Sequence, residues 1–293
     1  LPRADAELRQ LELITHSVLS DQVKEMKANV QQPQSLKQIR CGSKCSCNGG
    51  RRSTRSGSAC CASRGVEEHG MAFECGASCG CDPTRCSNRA VQKGRQHPLL
   101  LFRDVGTGWS IRALTEYKKG DYVADYCGEV KLESTSDEGT YDFSLEVPVP
   151  RETGEPDRIV VCSFEQGNEA RYLAHSCSPN LAVRTSVIGR DPFEQYNHSI
   201  YFVAERNILP GESLSIDYFA GKDLDELQRE QQSIDHFFSA CRCQSHGCRF
   251  SEAKMEEFKT GARATRSKRS AVKTMKKGEQ KEDRYIVMLS DSD

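Results

Sequence analysis

Long apolar runs are missing from this sequence. The longest, near Leu99-Leu100-Leu101-Phe102 and Ile286-Val287-Met288-Leu289, fall far short of the ~20 residues that a membrane-spanning helix needs. No basic segment followed by an apolar stretch opens the chain, so there is no visible signal peptide, although the first residue is Leu1 and not Met. A one-sided charge is also absent. Lys and Arg total 41 against 42 Asp and Glu, a formal net charge of −1, so bulk electrostatics announces no nucleic-acid binder. Tryptophan occurs once and hydrophobic residues make up 37% of 293 positions, a modest core that calls for other cross-links. No long helical pattern separates the strand-like runs, which excludes a doubly wound nucleotide-binding fold.

Cysteine is what the chain has in quantity. Its 15 thiols are an odd number, which spoils complete pairing. Nine crowd together as Cys41, Cys45, Cys47, Cys60, Cys61, Cys75, Cys79, Cys81 and Cys86, and three more follow at Cys241, Cys243 and Cys248. Thiols one residue apart, as in Cys45-Ser46-Cys47 and Cys79-Gly80-Cys81, are poorly placed to bridge each other and well placed to serve neighbouring metal ions. The Cys41 to Cys86 block is rich in Gly, Ser and Arg, and such a segment needs bound metal to organise it. Structural zinc in a reducing compartment is therefore expected over disulfides. Nine thiolates satisfy three tetrahedral zinc ions if three sulfurs bridge, at a formal charge of about −3. That charge leaves work for Arg51, Arg52, Arg55, Arg85 and Arg89. The second block is one ligand short of a tetrahedral site. Cys127 and Cys162 are expected as small buried residues.

Composition divides the chain into five stretches. Residues 1–38 hold an amphipathic helix and linker: Leu8, Leu11, Ile14, Val18, Leu19, Val23 and Met26 have helical spacing over Asp5 to Asn29, before a polar linker broken by Pro33. The helix is expected to pack on the main domain. Residues 39–98 are the first cysteine block. Residues 99–220 read as short strands: Leu99 to Phe102, Trp109 to Ala113, Tyr122 to Tyr126, Tyr141 to Val147, Ile159 to Cys162, Leu181 to Val187 and Ile200 to Glu205. Residues 221–250 hold a charged helix or loop over Asp223 to Asp235 and the second cysteine block. Residues 251–293 form a basic tail of disordered character, in which nine Lys and Arg from Lys259 to Lys281 meet one acid, Glu279.

Three pieces then line up in order. Phe73 to Gly94, with Cys75-Gly76-Ala77-Ser78-Cys79-Gly80-Cys81 and Cys86, resembles the end of a pre-SET region. Ala174-His175-Ser176-Cys177-Ser178-Pro179-Asn180 and Gly211-Glu212-Ser213-Leu214-Ser215-Ile216-Asp217-Tyr218 resemble the two signature motifs of SET-domain lysine methyltransferases, and Cys241, Cys243 and Cys248 a post-SET motif. The resemblance spans Cys41 to Phe250. It implies a mainly β SET fold of several small sheets with a knotted active-site segment, flanked by a pre-SET zinc cluster and a post-SET zinc site. Nine pre-SET cysteines point to the suppressor-of-variegation class, whose usual substrate is lysine 9 of histone H3. The resemblance further implies S-adenosylmethionine as cofactor, Cys177 as fourth ligand of the post-SET zinc, Tyr218 as main catalytic tyrosine and Tyr141 as a channel tyrosine. It places Gly106, Gly108, Trp109, Tyr126, Arg171 and His175 near the cofactor. Expected partners are the histone H3 tail and nucleosome, the expected location nuclear chromatin, and the expected setting chromatin silencing.

Three positions depart from the pattern. Ala174 replaces an Asn expected to hold the cofactor, a loss of about 1–3 kcal/mol if a buried partner goes unpaired. Ser110 stands where a third glycine is common. Ile216 stands where Phe or Tyr usually limits the number of methyl groups, which predicts dimethyl or trimethyl product. The first two keep a non-catalytic chromatin-binding module open as an alternative, beside an enzyme for another histone lysine or a non-histone protein. In the tail, Arg266-Ser267-Lys268-Arg269-Ser270 reads as a nuclear-import or DNA contact or a self-methylation target, against a solvated tail with no such role. Ile286-Val287-Met288-Leu289 followed by Ser290-Asp291-Ser292-Asp293 resembles a SUMO-interacting motif, in which an apolar strand adds to a sheet edge.

Overall fold

A computed structural model describes residues 12–29, 71–76, 81–104, 108–136, 142–149, 157–188, 198–229, 241–259 and 287–288. In chain order the elements are β1 (Glu12–Leu13), β2 (Val18–Leu19), α1 (Asp21–Asn29), β3 (Met71–Glu74), α2 (Ala90–Lys93), β4 (Leu99–Asp104), β5 (Gly108–Ala113), β6 (Tyr122–Tyr126) and β7 (Glu129–Leu132). They continue with β8 (Asp142–Val149), β9 (Asp157–Cys162), β10 (Gln166–Gly167), a 3-10 turn at Glu169–Tyr172, β11 (Ala174–His175), β12 (Leu181–Ile188), β13 (His198–Ala204) and β14 (Ser215–Ile216). Last come α3 (Leu224–Arg229), α4 (Glu252–Lys259) and β15 (Val287–Met288).

The expected mainly β architecture of several small sheets is what forms. Two larger sheets run in the orders β3-β12-β13-β6 and β15-β8-β9-β7-β2, beside the pairs β4-β5, β11-β14 and β1-β10. Each of the seven expected strands is present, within about two residues of its expected ends. Alternation is plainest along β13, where Ile200, Phe202 and Ala204 are buried while Ser199, Tyr201 and Val203 are partly exposed. The sheets meet over one core. Tyr126, Phe143 and Phe202 form its aromatic centre, with Tyr126 4.7 Å from Phe143 and Phe143 6.0 Å from Phe202 between ring centroids. Gly128 permits a close backbone crossing, since a Cβ there would stand 2.3 Å from the Cys162 carbonyl oxygen.

Two expectations need correction. Of the segment read as one helix from Asp5 to Asn29, the described residues begin at Glu12 and are helical over Asp21–Asn29 alone. Upstream, β1 pairs parallel with β10 and β2 with β7. Two open strand edges take the backbone there: Glu12 N–H donates to Glu165 O at 2.8 Å and Val18 N–H to Gly128 O at 3.0 Å. Helical spacing misled because Leu13 is 73% exposed, while Val23 within α1 is fully buried. The tail from residue 251 is not uniformly disordered in character either. Its first turns are α4, which buries Met255 against the cluster of Phe219, Leu224, Leu227 and Phe250, with Phe258 packed alongside. Lysines and arginines further along dominate the average composition and hide those two apolar positions.

Candidate functional site

The second cysteine block closes on the central motif. The Sγ atoms of Cys177, Cys241, Cys243 and Cys248 all lie within 4.8 Å of one another, and Cys177 Sγ is 3.8 Å from Cys248 Sγ. These thiols are free, and four sulfurs so gathered are the donor set that tetrahedral zinc takes. Backbone N–H groups already point at the sulfurs: Arg249 N–H donates to Cys177 Sγ at 3.3 Å and Cys243 N–H to Cys241 Sγ at 3.4 Å. The Cys241 thiol bonded to Cys177 holds the Cys177 thiol far below the usual thiol range, at about 2, and is itself pushed up by the same contact. Burial also opposes ionisation of Cys177, and the His175 ring favours it.

Of the first block, Cys75, Cys81 and Cys86 are described. Each is buried and their sulfurs lie within 4.8 Å of one another. Arg89, 6% exposed, donates to Cys81 Sγ at 3.6 Å and to Gly76 O at 2.7 Å. That is the compensating charge a polyanionic cluster requires. Asn88 Nδ2 donates to Cys75 Sγ at 3.5 Å. Cys41, Cys45, Cys47, Cys60, Cys61 and Cys79 lie outside the described residues.

Tyr218 sits where the two signature segments cross. Strand β11 pairs parallel with β14, Ala174 opposite Ser215 and His175 opposite Ile216. Tyr218 Oη donates to Leu173 O at 2.6 Å and Tyr218 N–H to His175 Nδ1 at 3.2 Å. Because Nδ1 accepts from that amide, the proton of the neutral ring belongs on Nε2, which lies 3.4 Å from Cys177 Sγ. His175 therefore links a sulfur of the four-thiol cluster to the Tyr218 backbone. Its ring packs tilted against Tyr218 at 5.1 Å and edge-on to Phe219 at 5.3 Å between centroids. Ile216 is 1% exposed, within the same core that Tyr218 packs against.

Other expected positions fall around this centre. Arg171, buried at the end of the 3-10 turn, donates from Nη1 to Ser163 O and Phe164 O at 2.9 Å each, fixing the loop after β9. Gly108 has φ +81° and open space where a Cβ would stand. A bare backbone facing open space is what close approach of a ligand requires. Trp109 packs 6.4 Å from Tyr172. Ser110 is buried in β5, and Ala174 is half-buried. Tyr126 belongs to the aromatic core, where burial raises its phenol well above the ordinary range, so it stays protonated. Cys127 and Cys162 are buried as expected. Burial likewise raises the Cys162 thiol, to about 11. Tyr141 and Gly106 lie outside the described residues.

Three positioning residues carry no signal in the sequence taken alone. Asn168 caps the turn bearing Arg171, its Oδ1 accepting from Ala170 N–H at 3.3 Å and its Nδ2 donating to Asp125 O at 2.8 Å. Asn180, 2% exposed, donates to Ser213 O at 2.8 Å and accepts from Ser215 N–H at 2.9 Å. It stitches the first signature segment to the second. Arg249 touches both the sulfur cluster and Asp217. Asn180 stands inside a motif that was legible, so its place was visible and its function was not.

Comparison with known proteins agrees with this geometry. Residues 108–219 match the SET domain family. The histone-lysine N-methyltransferase Su(var)3-9 of Drosophila melanogaster is 36% identical over 194 residues, covering 60% of this chain and 28% of that protein. The H3 lysine-9 specific histone-lysine N-methyltransferase of Schizosaccharomyces pombe is 31% identical over 189 residues, covering 60% and 37%. The chain thus spans well under half the length of these curated relatives. Among solved structures, KRYPTONITE in complex with mCHH DNA, H3(1-15) peptide and SAH superposes with TM-score 0.60 at 25% identity, covering 83% of this chain and 48% of that one. Neurospora DIM-5, a histone lysine methyltransferase, shares the fold at TM-score 0.52 and 24% identity, covering 71% and 89%.

Replacing Asn180 with Ala leaves Ser213 O and Ser215 N–H without their side-chain partner. The Asn180→Ala chain should lose about 0.5–1.5 kcal/mol of stability per hydrogen bond removed, since Ser213 is exposed and Ser215 half-buried. Urea unfolding of the variant against wild type measures it, and an unchanged midpoint would contradict the stitching role.

Proposed function

We propose that this chain, whose residues 108–219 are a SET domain related to the Su(var)3-9 class, is a histone H3 lysine-9 N-methyltransferase of nuclear chromatin that acts in silencing. The observation that supports the reading best is Tyr218 held by Leu173 O and His175 at the crossing of the two signature segments, beside the thiol cluster. S-adenosylmethionine, when bound, supplies the methyl group on a sulfonium centre. The residues expected to hold it are Gly106, Gly108, Trp109, Tyr126, Arg171 and His175. Gly108 offers exposed backbone, and Arg171 stiffens the loop at Ser163 and Phe164.

The remaining work falls to the chain's own groups. A free lysine amine has pKa ~10.4 and is reactive only after its proton has passed to solvent. The family resemblance implies a narrow channel in which Tyr218 and Tyr141 would favour that neutral form by stripping water from the ammonium. Tyr218 Oη and the Leu173 carbonyl, 2.6 Å apart, provide fixed oxygen dipoles to orient the amine. Alignment then supplies the acceleration, with no acid–base dyad needed. Ile216 brings no hydroxyl to hold the amine or a water, so dimethyl and trimethyl lysine should fit.

Wild-type chain incubated with S-adenosylmethionine and H3 peptides should methylate lysine 9 to the di- and trimethyl states. Tyr218→Phe should lower the rate by about 10²-fold or more. Mass spectra showing only monomethyl product would overturn the assignment to Ile216. Preference for another lysine would overturn the substrate, and equal background signal from both chains would favour a binding module.

The metal content we assign is three zinc ions on Cys41, Cys45, Cys47, Cys60, Cys61, Cys75, Cys79, Cys81 and Cys86, and one on Cys177, Cys241, Cys243 and Cys248. Elemental analysis should give about four zinc per chain, and Cys248→Ser about three. Wild-type protein that is folded yet free of metal would refute the scheme.

The segment Ile286 to Asp293 we read as a strand for SUMO or a SUMOylated protein. Its Val287–Met288 already adds antiparallel to the edge of β8, opposite Phe143 and Asp142, so SUMO must compete with a partner in the same chain. SUMO titrated into the full chain should bind more weakly than to the isolated 284–293 peptide. Absence of binding to the isolated peptide would remove the assignment.

A further inference from the structure

The turn that follows Tyr218 is an awkward piece of backbone. Ala220 has φ +49° and Gly221 φ +85°, and an alanine in the left-handed region persists only where its surroundings demand it. Asp217 supplies part of that demand, accepting from Phe219 N–H at 3.0 Å and Gly221 N–H at 2.8 Å. The rest comes from one residue of the C-terminal cysteine block. The Arg249 guanidinium forms an ion pair with Asp217 Oδ2 at 2.5 Å and donates from Nη1 to Lys222 O at 2.7 Å. It thereby clasps both ends of the 217–222 turn. Its backbone N–H meanwhile donates to Cys177 Sγ at 3.3 Å.

Charge explains why an arginine suits this place. Four thiolates on a divalent ion leave a formal charge of about −2, and Asp217 adds another negative charge nearby. A planar guanidinium, always charged and able to donate in several directions, bridges two anions and a carbonyl as an ammonium cannot. The half-buried side chain has little freedom to do anything else: its guanidinium carbon lies 5.1 Å from the Phe250 ring centroid. Through His175 a second route joins the same two places, Cys177 Sγ to Nε2 at 3.4 Å and Nδ1 to the Tyr218 amide at 3.2 Å.

We infer that Arg249 is a positioning residue for Tyr218: with Asp217 it forms a strut that transmits the placement of the C-terminal sulfur cluster to the tyrosine backbone. The inference rests on the methyltransferase reading for its kinetic consequence, but not for the coupling itself. Coupling between two sites is reciprocal. A ligand that orders the Tyr218 side must therefore tighten the hold on the metal on the Cys177 side, read as slower release to a chelator, and more strongly while the strut is intact.

The test uses the full chain and the variants Arg249→Lys, Asp217→Asn and the double variant. Asp217 is not a metal ligand, so its variant guards against the case in which changing Arg249 disturbs zinc directly. Three quantities are read: zinc per chain, zinc release to a chromogenic chelator with and without S-adenosylhomocysteine, and kcat and KM on H3 peptide. Both single variants should keep their zinc and lower kcat about 10- to 100-fold, with peptide KM within about twofold. The double variant should be no worse than the poorer single one. S-adenosylhomocysteine should slow the release of one zinc at least about fivefold in wild type and less than about twofold in the variants.

Variants that keep wild-type kcat and wild-type protection overturn the strut, as do effects that multiply in the double variant. Zinc lost from Arg249→Lys while Asp217→Asn works normally also overturns it, because Arg249 would then serve the metal alone. A wild-type chain that transfers no methyl group, yet shows protection that the variants lose, would uphold the strut and sink the methyltransferase reading instead.

Discussion

The sharing of Cys177 between two structures is the constraint on which the site depends. Its backbone follows β11 in the first signature segment, and its sulfur belongs with Cys241, Cys243 and Cys248 near the C-terminal end of the domain. Without that cluster the stretch from Cys241 to Phe250 has little to fold upon. Its apolar content is essentially Phe250, which packs on Phe219 at 4.8 Å. An ion held by these four sulfurs would exchange a costly loop closure for a few strong bonds, making metal binding and local folding one event. Phe219, Phe250 and α4 then close over a region that hydrophobic burial alone would leave open.

The larger sheets serve a different end. Tyr126, Phe143 and Phe202 lock β6, β8 and β13 together, and the close crossing at Gly128 brings the end of β6 against Cys162 and Ser163. From Ser163 the scaffold reaches the site through Arg171, and from Asp125 through Asn168. A rigid core holds one wall and a sulfur cluster holds the other. Tyr218 lies between them, packed against both clusters of buried side chains.

How much of this was legible follows from which signals are local. His198–Ala204, with Ile200, Phe202 and Ala204 buried between partly exposed neighbours, announces itself. Glu129–Leu132 did not, because four residues are too few to stand out even though Val130 and Leu132 are buried and Glu129 and Lys131 are not. The region Glu12 to Leu19 failed for a converse reason, because its spacing suits a helix while open edges on β7 and β10 claim its backbone. Cysteine spacing pointed to two thiol clusters directly, but only the family resemblance joined Cys177 to the second. Arg249 gave no sign at all: an arginine beside a cysteine is unremarkable until folding sets Asp217 and Lys222 against it.

The position of Tyr218 explains what kind of catalyst such a framework can support. Its hydroxyl is tied to a carbonyl, its amide to an imidazole, and the preceding residue to an arginine. These contacts restrict where atoms may be. Reactions that gain chiefly from alignment benefit from such restriction, since a displacement of one ångström can forfeit a large part of the rate. The same logic limits what Ile216 can do. Buried opposite His175 in the β11–β14 pair, it cannot swing toward a ligand, so its influence on the product is confined to the space it leaves and the hydrogen bond it does not make.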